Sequence, residues 1–120
     1  MISWLDIPVL EITRAEIFYK MVFNIECQRQ PSEVPSSLLT NNDTLCRICL
    51  IEHPHLKPNA NGHIIYLQPN QSLNVASGFV ERLGGKLLEK VTEIGTFGRR
   101  QIILDSEGNK LALFEPIETL

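Results

Sequence analysis

Apolar and polar residues follow one another along the first half of the chain in an order typical of one helix and four strands. A strand is predicted over residues 2–10, a helix over 14–23, and further strands over 25–29, 37–40 and 45–52. Ala15, Phe18, Met21 and Val22 recur at helical spacing, so they are predicted to form one face that packs on a sheet. Thr13 and Glu16 have the spacing of a capping box, which predicts the start of this helix.

The same order of elements is predicted to repeat after residues 53–62, a segment rich in turn-forming residues. A strand is predicted over residues 63–68, a helix from the N-cap Ser72 to Leu83, and strands over 86–94, 99–104 and 110–115. Gly84 and Gly85 are predicted to end the helix. Each half therefore has the order βαβββ, although the residues of the two halves are not similar.

The last two strands are joined by Asp-Ser-Glu-Gly-Asn at residues 105–109. Gly108 provides the positive φ that a tight turn needs, and Asp105 and Asn109 are able to bond to nearby backbone groups. This pattern predicts a β-hairpin that closes the second half.

Length and composition predict one ordinary globular domain over residues 1–120. The net charge of −3 gives no reason to expect a nucleic acid or a membrane surface as partner. No apolar run is as long as a membrane span, and the start of the chain lacks a signal pattern, so a cytoplasmic protein is expected. Three irregularly spaced cysteines favour reduced thiols over disulfides.

Five local segments, in this order, resemble the vicinal oxygen chelate superfamily, which includes glyoxalase I, bleomycin and fosfomycin resistance proteins and extradiol dioxygenases. They are Ile-Ser-Trp-Leu-Asp-Ile-Pro-Val at residues 2–9, Arg-Ala-x-x-Phe-Tyr-x-x-Val-Phe at 14–23, Asn-Gly-His-Ile-Ile-Tyr-Leu at 61–67, Gly-Gly-Lys at 84–86 and the 105–109 turn. The resemblance implies an α+β fold of paired βαβββ modules, over about residues 1–58 and 62–116. The modules would form a curved eight-stranded mixed sheet with helices on its convex side and a concave cup. Homodimers are common in the superfamily, so a homodimer is expected.

The resemblance also identifies four positions that hold the metal in the superfamily's enzymes. They correspond to Trp4, Cys49, His63 and Ala112. Tryptophan and alanine offer no ligand atom to a divalent cation, so neither a metal nor another cofactor is expected. The alternative is a metal-dependent glyoxalase-like lyase, isomerase or dioxygenase whose ligands lie at other positions.

Cys46, Cys49, His53 and His55 suggest a rival zinc site, since cysteine and histidine are common zinc ligands. Residues 45–52 are predicted to be a strand, however, and strand residues three apart face opposite sides of a sheet. The two cysteines are therefore interpreted as structural thiols, and the two histidines as solvated linker residues.

Alternation along the strands extends these positions to a predicted ligand-binding cup, to which the resemblance to the superfamily's closing hairpin adds Arg100 and Ile102. Its residues are Trp4, Asp6, Arg47, Cys49, His63, Ile65, Arg100, Ile102, Ala112 and Phe114. Apolar walls with a few polar groups are typical of a small-molecule site, and an arginine pairs well with a carboxylate or phosphate. The predicted function is binding of a small organic molecule. Two alternatives stay open: the charged residues reach only water, or the protein is a dimer with a vestigial cup.

Overall fold

The computed structural model describes residues 2–40 and 46–117. The first module consists of β1 (Trp4–Pro8), α1 (Ile12–Phe23), β2 (Glu26–Arg29), β3 (Ser36–Thr40) and β4 (Arg47–Ile51). The second consists of β5 (Ile65–Leu67), α2 (Leu73–Val80), a 3₁₀ turn (Glu81–Leu83), β6 (Lys86–Leu87), β7 (Thr92–Ile94), β8 (Gly98–Leu104) and β9 (Lys110–Pro116). The α+β class and the repeated order of elements are confirmed. The predicted 45–52 strand begins at Leu45, which lies outside the described residues.

The strands form two hydrogen-bonded sheets of four and five strands rather than the single sheet of eight that was predicted. The first sheet has the order β1-β4-β3-β2, and the second has β5-β9-β8-β6 with β7 also paired to β8. In each sheet the first strand of the module runs parallel to the last, and the other pairs are antiparallel. The two modules therefore share one topology although their sequences differ.

α1 packs on one face of the first sheet and α2 on one face of the second, the two helices contact each other, and all of them share a single hydrophobic core. Its largest fully buried apolar residues are Phe18 and Tyr19 of α1, Leu50 of β4, Leu73 of α2, Ile103 of β8 and Leu113 of β9. We call this side of each sheet the helix face and the opposite side the open face. Within the described ranges, no helix is long and apolar enough to span a membrane.

The buried face of α1 differs from its prediction at one residue. Ala15, Phe18 and Val22 are buried as expected, but Met21 is exposed and Tyr19 is buried instead. Tyr19 lies four residues after Ala15 and three before Val22, which is the spacing of one helical face. Its hydroxyl donates a hydrogen bond to the buried carboxylate of Asp105, so a polar end is satisfied inside the core.

The predicted capping box of α1 is wrong. The helix begins at Ile12, so Thr13 lies inside it, and no side chain of the N-cap residue bonds to the first turn. Glu16 instead accepts hydrogen bonds from Ser37 of β3 (2.7 Å) and from Arg29 of β2 (2.9 Å). The Ile12 amide donates to the carboxylate of Glu52, which follows β4 (2.9 Å). The carboxylate of Glu52, directly after the last strand of the module, thus takes the place of a side-chain cap from the N-cap residue.

The start of α2 agrees with its prediction, since the Ser72 hydroxyl accepts a hydrogen bond from the Val75 amide. The α-helix predicted to reach Leu83 ends at Val80, and its last turn is the 3₁₀ turn Glu81–Leu83, which Gly84 ends with a φ of +93°. The Leu73 amide also donates to the carboxylate of Glu115 on β9 (2.9 Å). Glu115 therefore binds the amide of the first residue of α2, as Glu52 binds that of the first residue of α1.

The strand predicted over residues 86–94 is divided into β6 and β7, which are separated by residues 88–91. Glu89 lies in this interruption, where its carboxylate accepts a hydrogen bond from the Ile102 amide and its carbonyl accepts one from the Gln101 side chain. Side-chain and backbone groups of Glu89 thus replace part of the regular pairing to β8.

Gly108→Val is expected to lower the free energy of unfolding by about 1–2 kcal/mol. The φ of Gly108 is +99°, and a Cβ built there meets no atom within 4 Å. The cost is therefore backbone strain without a steric clash. Urea unfolding measures it, with Gly78→Ala as control, since that position lies in α2 in open space and alanine favours helix. An unchanged midpoint for Gly108→Val would show that the turn tolerates a β-branched residue.

Candidate functional site

The open face of the first sheet brings together the four residues predicted there. Trp4 pairs in register with Arg47, and Asp6 pairs with Cys49 across the parallel strands β1 and β4. Ile7 and Leu50 alternate with them and lie in the core, so the four residues share the opposite face. The indole N–H of Trp4 donates to the Asp6 carboxylate (2.6 Å), and 53% of Trp4 stays exposed.

The Cys49 thiol is suited to packing rather than to nucleophilic attack or metal binding. Burial raises the pKa of its thiol, and the negative charge of Asp6 raises it further. A thiol with a raised pKa stays protonated at neutral pH, and the thiolate is the form that attacks electrophiles or binds metals. Cys27, Cys46 and Cys49 are free cysteines.

The open face of the second sheet carries an aromatic and aliphatic surface around one arginine. Arg100 pairs in register with Phe114, Ile102 pairs with Ala112, and Ala112 also pairs with Tyr66. These residues therefore lie together on one face. The rings of Tyr66 and Phe114 meet edge to face, with their centroids 6.1 Å apart.

Two side chains hold the Arg100 guanidinium on this face. Its Nη1 donates a hydrogen bond to the Tyr66 hydroxyl, and its Nε lies 3.3 Å from a carboxylate oxygen of Glu89. The hydrogen bond to Tyr66 raises the pKa of Arg100, so the group keeps its positive charge. Nε is buried beside Glu89 and is out of reach of a ligand, whereas Nη2 makes no hydrogen bond to the described residues and is the donor left for a ligand.

Two residues predicted for the cup lie elsewhere. Ile65 pairs in register with Leu111, which is in the core, so Ile65 faces the helices. His63 precedes β5 and is exposed. Tyr66 takes the open-face position instead. The run Ile-Ile-Tyr-Leu at 64–67 has no polar alternation, so the sequence did not fix which residues face which side.

Tyr66 and Glu89 are the site residues that the sequence analysis missed. Glu89 gave no signal, because it belongs to a segment predicted to be regular strand.

Among the described residues, no hydrogen bond, ion pair or aromatic contact joins the open-face side chains of the first sheet to those of the second.

A cavity of about 720 Å³ lies at the end of β9. It is bordered by the segment that joins β5 to α2, by the β7–β8 hairpin and by residues 114–117. Phe114 is the one predicted cup residue in its lining. This cavity is therefore distinct from most of the open face.

The residues at the four superfamily metal positions do not fit a metal centre. Trp4 and Ala112 have no ligand atom, Cys49 is buried with a raised thiol pKa, and His63 lies in the segment before β5. In the part of the chain that the structure describes, no three His, Cys, Asp or Glu side chains converge on one point.

Comparison with known proteins finds relatives in structure and not in sequence. No protein-family model matches the sequence, and no curated protein matches it.

Three solved structures illustrate the structural similarity. The antibiotic binding protein TnmS3 from Streptomyces sp. CB03234 is 16% identical, with a TM-score of 0.72 over 98% of this chain and 96% of that one. The fosfomycin resistance protein FosX from Listeria monocytogenes is 17% identical, with a TM-score of 0.69 over 100% and 94% of the two chains. A glyoxalase I mutant from Zea mays is 16% identical, with a TM-score of 0.70 over 94% of this chain, which spans only 45% of the maize chain.

TM-scores of 0.69–0.72 over 94–100% of this chain show that it shares the overall fold of these structures. Identities of this size establish the fold and leave the activity open. The chain therefore has the paired βαβββ fold of the vicinal oxygen chelate superfamily, the family that its sequence resembles.

Proposed function

We propose that the protein binds a small anionic organic molecule on its open face. The observation that carries this proposal is the Arg100 guanidinium, which Tyr66 and Glu89 hold beside Phe114, Ile102 and Ala112. Glu89 balances part of the Arg100 charge, but the guanidinium keeps donors at its Nη2 end, and such donors next to an apolar surface suit a carboxylate or phosphate attached to a hydrocarbon body. Trp4, Asp6, Arg47 and Cys49 are proposed to form the second wall of the same site.

Two structural neighbours support an organic ligand by their names, one being an antibiotic binding protein and the other a fosfomycin resistance protein. Binding without metal is favoured because Trp4 and Ala112 stand at positions where a metal enzyme needs ligand atoms. The homodimer and the cytoplasmic location stay predictions. Sedimentation equilibrium would test the first.

Purified protein is expected to contain no stoichiometric zinc, nickel, manganese or iron. The reason is the lack of ligand atoms at Trp4 and Ala112. Elemental analysis of protein prepared without chelators measures this, and glyoxalase I assays with added metal test the alternative enzyme. One tightly bound metal per chain that is lost in His63→Ala would contradict the prediction and favour the enzyme.

Arg100→Ala is expected to weaken binding of carboxylates about tenfold or more while changing binding of the matching amides little. The reason is that a hydrogen bond to a charged group contributes more than one to a neutral group. The measurement is a titration with carboxylate–amide pairs such as benzoate and benzamide, followed by the fluorescence of Trp4, the only tryptophan in the chain.

Arg82→Ala is the matched control, since it removes the same charge from the 3₁₀ turn, where Arg82 lies over the Phe79 ring. Equal weakening of carboxylates and amides in Arg100→Ala would contradict the anion preference. If a ligand leaves Trp4 emission unchanged and binds to Arg100→Ala as tightly as to the parent protein, its site does not lie on the open face.

A further inference from the structure

We propose that the cavity at the end of β9 is a second binding site, which takes an amine carried on an aromatic or other apolar body. It is separate from the Arg100 site and has the opposite charge preference. The two sites are therefore distinguishable with simple probes.

The size and the walls of the cavity suit such a ligand. Its volume of about 720 Å³ lies within the range typical of small-molecule sites. Pro69, Phe114, Pro116 and Ile117 give it an apolar lining. Ile117 is itself exposed and donates its amide N–H to the carbonyl of Phe97, an exposed aromatic residue in the β7–β8 hairpin. A concave surface bounded by exposed apolar residues is typical of a site that is covered when a ligand binds.

The charges of the cavity form a row across three strands. Glu93 of β7 pairs in register with Arg99 of β8, which pairs with Glu115 of β9. Neighbours of this kind share one face of a sheet. Arg99 donates to one Glu115 oxygen, and the Leu73 amide donates to the other. Arg99 and Glu115 therefore neutralise each other.

Glu93 is left as the net charge of this row. It forms no ion pair among the residues described by the structure, and the charged residues that line the cavity are Glu93, Arg99 and Glu115. Two carboxylates against one guanidinium give the cavity a net charge of −1. A protonated amine is the ligand group that complements this charge, while its apolar body gains contact with Ile117.

The test is a titration of ¹⁵N-labelled protein with 2-phenylethylamine and, separately, with 2-phenylethanol, which has the same body without the charge. Saturable shifts are expected for the amides of Ser72, Gly95, Thr96 and Gly98, which line the cavity. Glu93→Gln is expected to weaken binding of the amine about two- to fivefold, because an ion pair open to water is weak. Binding of the alcohol should not change.

Glu33→Gln is the control, since Glu33 is an exposed glutamate between β2 and β3 and its replacement changes the net charge equally. The proposal is overturned if the amine gives no saturable shift at the cavity amides. It is equally overturned if Glu93→Gln and Glu33→Gln have the same effect, because the attraction would then come from the overall charge.

Discussion

Glu107→Ala is expected to lower the free energy of unfolding by about 3 kcal/mol, because Glu107 joins the β8–β9 turn to the start of α1. Its side chain is fully buried, and its carboxylate accepts hydrogen bonds from the amides of Leu10 (2.8 Å) and Glu11 (2.9 Å). Arg14 donates twice to the same carboxylate, from Nε (2.8 Å) and Nη2 (2.9 Å). The Ser106 hydroxyl donates to it as well (2.8 Å). Truncation removes the acceptor of all five hydrogen bonds, and Arg14, which is partly exposed, recovers water more readily than the two amides do.

Denaturant unfolding measures this loss, and Glu11→Ala is the matched control. Glu11 also pairs with Arg14, at 3.5 Å, but it is exposed. Its replacement is expected to cost less than about 1 kcal/mol, as is usual for surface pairs. Equal costs for the two variants would show that the buried carboxylate contributes no more than an exposed one.

The contribution of Glu107 to stability should also appear when the protein is unfolded by acid. Burial raises the pKa of Glu107, but the hydrogen bonds from Arg14, Ser106 and two amides outweigh it, so the pKa is lowered in the folded protein. A lowered folded pKa contributes stability above the unfolded value, and this contribution is lost as the pH falls through the folded pKa. Glu107→Gln should therefore lose less stability than the parent protein when the pH falls below 4.5, the ordinary value of a glutamate.

Asp105 is expected to change the stability of the protein with pH in the direction opposite to Glu107. Burial raises its pKa despite the hydrogen bond from Tyr19 and those from Asn109. A raised folded pKa gives a contribution that is complete below the unfolded value and is lost as the pH rises through the folded pKa. The acid unfolding of the parent protein thus sets Asp105 against the glutamates whose pKa values are lowered, which include Glu16, Glu107 and Glu115. A steeper acid loss in Glu107→Gln would contradict the role given to Glu107.

The order of elements was predictable because turn-forming segments and helix stops are local signals. Ser72 and Gly84 act within a few residues of their partners, and both behave as predicted. The capping box failed for the converse reason. Thr13 and Glu16 have the right spacing, but Arg29 and Ser37 bind the glutamate across the fold. Tertiary contacts overrode the local pattern.

The role of Glu107 was out of reach of a local analysis, because its partners lie 93–97 residues away in the chain. The two glutamates that bind the helix starts, Glu52 and Glu115, are in contrast marked by similar segments in the sequence. Residues 50–52 are Leu-Ile-Glu and residues 113–115 are Leu-Phe-Glu. Both segments end their modules, and Glu52 and Glu115 each accept the amide of a first helical residue. Aligning the two halves on these segments pairs Cys49 with Ala112, and the parallel registers then pair Asp6 with Tyr66. This alignment would have placed Tyr66 on the open face.

Gly98→Ala is expected to lower the free energy of unfolding by about 3 kcal/mol and the thermal midpoint by about 10 °C or more. Gly98 begins β8 with a φ of +153° and pairs with Pro116 at the end of β9. A Cβ there would lie 2.2 Å from the carbonyl oxygen of Glu115 and 2.8 Å from the Cα of Pro116. Both are backbone atoms, which no side-chain rotation can move away.

Gly95→Ala is the control in the same hairpin. Gly95 also has a positive φ, of +50°, but its Cβ would meet no atom within 4 Å, so only about 1 kcal/mol of strain is expected. The difference between the two variants isolates the clash with β9. Because Gly98 and Glu115 both line the cavity, movement of β9 in Gly98→Ala should also weaken binding of 2-phenylethylamine. Gly95 lines the cavity as well, so Gly95→Ala is the control for stability and not for binding. Similar stability losses in both variants would show that the end of β9 shifts to accommodate the methyl group.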